Sequence, residues 1–430
     1  MTAPVVGFAG LTHLGLVSAV GTASKGFRVI GYDADASRVN AIAAGRLPVL
    51  EPDLDELVRR HSALLSYSHR ADALRSCDIV YIATDVPTDD RGQSDLSGIS
   101  ALIDTIIPAL GPRAVLCVLC QVPPGFTRRL PLDPARLFYQ VETLVFGRAV
   151  ERATKPERFI VGCADPAQPL PQAYEALLGA FDCPVLPMRY ESAELAKIAI
   201  NCCLVASVSV ANTLADLSER IGADWHEIAP ALRLDRRIGA YSYLAPGLGI
   251  AGGNLERDLA TVLRLSEATG SEASVIAAFV NNSRSSRDWV LRLIHREVLP
   301  RKTVPTLAIL GLSYKENTHS TKNSPSLALI DHLQAWPIRV YDPAVPAQAV
   351  KHPSVTAAAT ARDAARGSDA LLIMTPWPEF RTLAPADLAG LMAGRTIVDP
   401  FRVLEPAAAR AAGLSYFTLG ASPPEAKGNL

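Results

Sequence analysis

No hydrophobic run in this chain reaches the roughly 20 residues a membrane-spanning helix needs, because charges or prolines interrupt each one. An integral membrane protein is therefore not expected. Nor is there an excess of charge of either sign: 42 basic residues stand against 43 acidic ones, a net charge of −1. Without a basic excess the chain has no general means of neutralising nucleic acid or an anionic membrane, so any anion site must be local. The seven cysteines are odd in number, and Cys77, Cys117, Cys120, Cys163, Cys183, Cys202 and Cys203 show no paired metal-ligand spacing. Buried thiols in a reducing compartment are a better reading of them than a disulfide framework or a metal centre. Met1 to Val6 lead directly into a strand pattern with no charged and apolar leader, which points to the cytoplasm. No fixed-period repeat and no low-complexity block is present.

What is there is the balance of a soluble globular enzyme, 49% hydrophobic and 20% charged residues. A chain of 430 residues exceeds one ordinary core. Three domains are expected, at 1–188, 189–299 and 300–430. The first opens as strand, glycine turn, helix and strand over Pro4–Ala9, Leu14–Ser24 and Phe27–Tyr32. Further apolar runs at Asp78–Ala83, Ala114–Leu119, Leu137–Val141 and Phe159–Gly162 predict a parallel, doubly wound sheet. From Glu191 to about Arg296 helical patterns such as Ser192–Ile221 and Asn254–Ala268 dominate. Strands return at Thr306–Leu310, Ile338–Tyr341, Asp369–Met374 and Thr396–Val398, predicting a second Rossmann-like α/β domain. The tail from Ser422 is expected to fray.

The turn Gly10-Leu-Thr-His-Leu-Gly15 stands between strand and helix, where the dinucleotide fingerprint brings a pyrophosphate to backbone N–H groups. Thr12 replaces its middle glycine and narrows the approach. Asp33 ends the second strand, about 20 residues on, where a carboxylate accepts from a ribose diol and repels a 2′-phosphate, so NAD is favoured over NADP. His13 reads as a surface or turn residue. In the helical segment Lys197 and Asn201 sit at i and i+4, on one helix face, and could hold a substrate oxygen. From spacing alone, a snorkelling lysine beside a capping asparagine serves equally well. The glycine-dense stretch Pro246–Gly253 opens onto Asn254-Leu-Glu-Arg-Asp258 and a helix. It reads either as a loop that admits a ligand to the backbone or as an irregular turn between domains, with Asp258 stabilising the helix start.

Together these pieces resemble the UDP-glucose/GDP-mannose dehydrogenase family over nearly the whole chain, in the same order. The opening turn with Asp33, Asp78–Thr84 followed by Asp95-Leu-Ser, Val122–Thr127, Lys155–Gly162, Glu194–Lys197 with Asn201, Asp235–Gly239, Gly311–Lys315, Asn323–Ser326 and Tyr341-Asp-Pro343 carry the likeness. The resemblance implies an NAD-binding first domain, a helical middle that supplies a dimer core, and a last domain that holds the nucleotide. It implies cofactor contacts at Gly10, Thr12, Leu14, Gly15, Asp33, Arg38, Thr84 and Lys322, the last where the family usually has arginine. Glu142 would be the carboxylate of the Pro-Glu-Phe segment, Lys197 and Asn201 the pair that steadies the reacting oxygen, and Asp258 the acid beside them. Substrate contacts would come from Leu144, Arg237, Tyr243, Gly249, Gly252, Lys315 and Arg402, with Arg237 reaching the substrate of a partner subunit in a homodimer.

The departures gather on one half-reaction. Asn254 falls on the position of the family's nucleophilic cysteine, Gln121 on a threonine before Val122-Pro123, and Phe146 on the second glutamate of Pro-Glu-Phe. Family members oxidise an alcohol to a carboxylate by two hydride transfers, a thiolate trapping the aldehyde between them. A neutral amide cannot do this, and Cys202 and Cys203 read as core residues off the face of Lys197 and Asn201. The resemblance then implies a reversible two-electron oxidation of a nucleotide sugar, yielding an aldehyde or ketone or serving an epimerase. A four-electron oxidation through an aldehyde hydrate is the alternative enzyme, and a non-catalytic nucleotide-sugar-binding homologue the alternative of another class. An ordinary two-domain hydroxy-acid dehydrogenase is disfavoured by the second α/β domain.

Overall fold

The structure, a computed structural model, describes residues 3–89, 92–333 and 335–422. The chain divides into two compact units, Met1–Ile200 and Asn201–Leu430.

The strands of the first unit are β1 (Val6–Ala9), β2 (Val29–Tyr32), β3 (Leu65–Ser68), β4 (Ile79–Ile82), β5 (Val115–Val118), β6 (Leu137–Gln140), β7 (Phe159–Cys163) and β8 (Val185–Arg189). They form one sheet in the order β3-β2-β1-β4-β5-β6-β7-β8. Helices α1 (His13–Ala23), α2 (Ala36–Ala43), α3 (Leu54–Arg60), α4 (Ser97–Ile106), α5 (Ala149–Thr154) and α6 (Gln172–Gly179) connect and cover it. Every residue of β1, β4, β5 and β6 is buried, as a sheet covered on both faces requires. Burying a side chain such as Phe8 or Ile79 there contributes about 2 kcal/mol. The expectation of a parallel sheet needs one correction: β6 and β7 run antiparallel.

The second unit begins inside α7 (Tyr190–Ile221), so from Asn201 on the helical segment is grouped with the second sheet. It continues through α8 (Trp225–Leu234), α9 (Asn254–Thr269), α10 (Ser274–Arg287) and α11 (Trp289–Glu297), with no strand among the described residues of this stretch. The second sheet contains β9 (Leu307–Leu310), β10 (Ile338–Tyr341), β11 (Val355–Ala357), β12 (Ala370–Ile373), β13 (Thr396–Val398) and β14 (Ser415–Phe417), interleaved with α12 (Pro325–His332), α13 (Ala361–Ala365), α14 (Pro385–Leu391) and α15 (Pro406–Ala411). Its order, β11-β10-β9-β12-β13-β14, repeats that of the first six strands of the first sheet. Both follow the doubly wound pattern, with the order reversing between the first and fourth strands.

The duplication extends to single atoms. Gly10 N–H donates to Tyr32 O at 2.8 Å, and Gly311 N–H to Tyr341 O at 2.8 Å. Leu11 N–H donates to the Asp33 carboxylate at 2.9 Å, and Leu312 N–H to that of Asp342 at 2.7 Å.

Four strands escaped the sequence reading: β3, β8, β11 and β14. They are the two edges of each sheet, where one side of the ladder faces no neighbour; the residues of β3, β8 and β11 are also less buried, while β14 spans only three residues. In β8 Pro187 also interrupts the pattern, which an edge strand tolerates. One helix bears on the membrane expectation. By length and composition α7 could cross a bilayer, with an 18-residue window of mean hydropathy 1.8. Its uncharged stretch lies between Lys197 and Asp216. Val205, Ala211 and Ala215 are nevertheless buried in apolar clusters of their own unit, as in a core helix. The tail expected to fray lies, from residue 423 on, outside the described residues.

Candidate functional site

The first turn is built for a close approach. Gly10 has φ +97°, and a Cβ at Gly15 would stand 1.7 Å from the Gly10 carbonyl oxygen and 2.6 Å from that of Ala83. Only hydrogen fits there, so α1 packs directly against the end of β1 with its N-terminal N–H groups at the turn. Leu14 is buried beneath. Thr84, at the end of β4, lies against Gly10 and donates its N–H to Cys120 Sγ at 3.2 Å. Asp33 is 7% exposed and accepts from Leu11 N–H, from Asp35 N–H at 3.0 Å and from Arg38 Nη1 at 2.8 Å. The carboxylate is thus held at the end of β2. These residues fit a dinucleotide.

His13 is not a surface residue. It is buried, and its Nε2 lies 2.8 Å from Glu51 Oε1. Glu51 also accepts from the N–H groups of Gly147 and Ala149. Phe146 stacks on the His13 ring at 4.2 Å. An aromatic at this position therefore serves packing around the turn.

Two polar clusters lie on α7, one in each unit. In the first, Lys197 Nζ donates to Glu142 Oε2 at 3.3 Å, with both side chains less than one-fifth exposed. Glu142 also accepts the N–H of Leu144. In the second, the Asn201 amide donates to Asp258 Oδ2, and Arg257 Nε lies 3.4 Å from Asp258 Oδ1. All three residues are less than 10% exposed. Asn254 is the exposed first residue of α9, preceded by Gly252 and Gly253 at φ +89° and +92°. A Cβ at Gly252 would meet the Tyr314 ring at 2.6 Å, so the loop lies flat against that ring. Gly249 packs on Ser283, whose hydroxyl accepts the Ile250 N–H at 2.8 Å.

The other expected residues are placed as follows. Lys322, in the second unit, accepts the Gly252 N–H through its carbonyl and runs beside Gly253. The Lys315 ammonium stands 5.7 Å from the centroid of the Tyr314 ring. Arg402 donates to Asp224 at 2.7 Å. Arg237 has an 89% exposed side chain paired with Asp235, and Tyr243 is exposed. All seven cysteines are free. Cys203 is exposed, which corrects its reading as a core residue, whereas Cys202 is half-buried beside Asp258, and burial pushes its thiol up to about 11.

Sequence reasoning passed over Glu51, Asp85, Arg257 and Tyr314. Asp85 had a readable signal, because it lies three residues beyond β4, at the point where the strand order reverses. Glu51 had none, since its partners lie 38 to 98 positions away.

The family models of the UDP-glucose/GDP-mannose dehydrogenases match in order: the NAD-binding domain over residues 5–179, the central domain over 191–284 and the UDP-binding domain over 308–406. This chain belongs to that family. NAD is its cofactor, and a nucleotide sugar its class of substrate. The chain is 29% identical to the UDP-glucose 6-dehydrogenase TuaD of Bacillus subtilis over 427 residues, covering 96% of this chain and 92% of that one. It is 28% identical to the UDP-glucose 6-dehydrogenase of Pseudomonas aeruginosa, covering 96% of each. Among solved structures it resembles a UDP-glucose dehydrogenase from Pyrobaculum islandicum, with a TM-score of 0.85, 27% identity and 98% of each chain covered.

Proposed function

We propose that this family member oxidises one alcohol of a nucleotide sugar by a single two-electron step and releases a carbonyl product. Asn254 carries the reading. By resemblance it stands where the family places its nucleophile, and a neutral amide cannot trap an aldehyde. The remaining thiols support the same conclusion: burial raises the pKa of Cys77, Cys117, Cys120, Cys163, Cys183 and Cys202, which keeps them protonated and poorly nucleophilic. Cys203 is exposed and lies two positions from Asn201, on another side of the helix.

In this step the alcohol carbon would lose its hydrogen as hydride, which NAD takes up when bound, and the hydroxyl would release its proton to solvent, so that one proton leaves for each hydride transferred. Lys197 and Asn201, one helical turn apart, offer an ammonium and an amide to the oxygen as negative charge develops. Glu142 holds the ammonium, and Asp258 holds the amide. The three segments 1–188, 189–299 and 300–430 would divide cofactor, assembly and nucleotide between them, a division supported by the three family matches. Re-reduction from the other face, as in an epimerase, finds no support in relatives that are named as dehydrogenases.

The assembly is proposed to be a homodimer. Val210, Leu214, Leu217 and Ile221 form an exposed apolar stripe on α7, suited to a second copy, and exposed Arg237 would reach the partner's substrate. Seven free thiols fit a reducing cytoplasm.

The test is incubation with NAD and a panel of nucleotide sugars, following NADH absorbance and product mass. One NADH per carbonyl product is expected, with Asn254→Cys shifting the product toward acid. Acid formation by the unaltered protein would contradict the reading and point to oxidation through the aldehyde hydrate. Tight binding without turnover of any sugar would instead identify a non-catalytic homologue.

A further inference from the structure

Asp85 is tied to the start of α1 by two hydrogen bonds, one to Thr12 and one from His13. Asp85 N–H donates to Thr12 Oγ1 at 3.0 Å, and His13 N–H donates to Asp85 Oδ2 at 3.2 Å. Thr12 is the N-cap residue of α1, with extended backbone at φ −78° and ψ −168°, yet its side chain does not cap its own helix. Its hydroxyl is engaged by Asp85, and the missing cap is supplied by the Asp85 carboxylate from 72 positions away. The first helical N–H of α1 is thus satisfied by a carboxylate from another strand's exit loop.

The N-terminal N–H groups of α1 carry partial positive charge and form the anion site of a dinucleotide turn. A carboxylate on His13 N–H occupies part of that site and opposes a second negative group there. The Arg38 guanidinium is committed to Asp33 at 2.8 Å, and the His13 ring is hydrogen-bonded to Glu51 at 2.8 Å. The duplicate turn of the second sheet is built differently. There the residue after Thr375 is Pro376, which has no carboxylate, and Ser313 Oγ turns to Asp342 at 3.2 Å. The carboxylate is therefore a feature of the first turn and not of the strand–turn architecture.

We propose that Asp85 is a built-in competitor of the cofactor's pyrophosphate, so that NAD binds the turn by displacing the Asp85 carboxylate from the N-terminus of α1. Asp85 is exposed and follows a short strand, so it can swing into solvent without disturbing the core. Thr12, by holding Asp85 N–H, keeps the competitor close to the turn. Asp85 thereby sets cofactor affinity, although nothing in the opening turn's own sequence reveals it.

The test is calorimetric titration of the full chain with NAD and, separately, with adenosine, which has no phosphate. Asp85→Asn keeps an acceptor for His13 N–H but removes the charge. It is expected to tighten NAD binding about three- to thirty-fold, the range of one charge at a helix terminus, and to leave adenosine unchanged. Asp85→Ser, shorter and neutral, should tighten NAD in the same direction and serves if the asparagine variant folds poorly. In thermal melts without ligand both variants should unfold no higher than the unaltered protein, while the NAD-induced rise in Tm grows. An NAD affinity within twofold of the original, a weaker one, or a gain shared equally by adenosine would overturn the proposal.

Discussion

Asp33 and Asp342 occupy the same place in two successive sheets, each accepting the backbone N–H of the leucine that follows the turn glycine. Their further partners separate them. Asp33 accepts in addition only from Asp35 N–H and the partly exposed Arg38 among the described residues, whereas Asp342 also accepts from Ser313 N–H and Oγ–H, Ala344 N–H, Val345 N–H and Trp377 Nε1–H. One carboxylate is left able to receive a ligand, and the other is saturated by its own chain.

Asp342→Ala therefore strands several donors and should lower stability by about 3 kcal/mol. Asp33→Ala should act mainly on NAD, weakening its affinity at least about tenfold, as a lost charge-assisted hydrogen bond does. Chemical denaturation and calorimetry of the two variants would show the opposite ranking if this division of labour is wrong.

Gly15→Ala places a methyl group where the Gly10 carbonyl oxygen already stands. The end of β1 and α1 must separate, so NAD-induced thermal stabilisation should disappear. A variant that still shows the full Tm shift would show that the close packing is dispensable.

Asp258→Ala removes the acceptor of the Asn201 amide and a carboxylate beside the buried Arg257. A loss of about 3 kcal/mol is expected, as for breaking a buried ion pair on one side. Asn201→Ala leaves that pair in place and should cost less. Its larger effect should fall on turnover, with kcat reduced more than NAD affinity. Equal losses of stability in the two variants would argue against Asp258 as the anchor.

Glu219 lies under the end of the second sheet, accepting from Gly420 N–H at 3.0 Å and Trp289 Nε1–H at 3.1 Å. Burial lifts its carboxyl from 4.5 to about 7, with Asp216 adding to the rise and the two donors and Arg296 opposing it. The folded carboxyl holds its proton more tightly than the unfolded one. Its contribution is therefore fully present below about pH 4.5 and is lost as pH rises through about 7, a change of about 3 kcal/mol. Urea titrations from pH 4.5 to 7.5 should show this decline, and Glu219→Gln should flatten it. An unchanged slope in the variant would assign the decline to other groups.

Much of the architecture was readable because interior strands and long helices carry their environment in their composition. The all-apolar Val6–Ala9, Ile79–Ile82 and Leu307–Leu310 announce strands covered on both faces, and the register of Gly10, Gly15 and Asp33 announces the nucleotide turn. The edge strands were not readable: β3, β8 and β11 are partly exposed, β8 includes a proline, and β11 and β14 span only three residues each. Lys197 and Asn201 were found by helical spacing, but their partners Glu142 and Asp258 came only from resemblance, because they lie 55 and 57 positions away.

By itself, then, the sequence determined the order of helices and buried strands, the glycine turns and the acids that end the second strand of each sheet. These follow from local periodicity and from backbone shapes that few residues can adopt. Tertiary structure alone decided which strands become edges, that His13 is buried on Glu51, and that Asp85 caps a helix begun by Thr12. Each of those depends on segments that meet only when the sheet closes, and the chemistry of a hydrogen bond leaves no trace in the spacing of partners 38 or 73 positions apart.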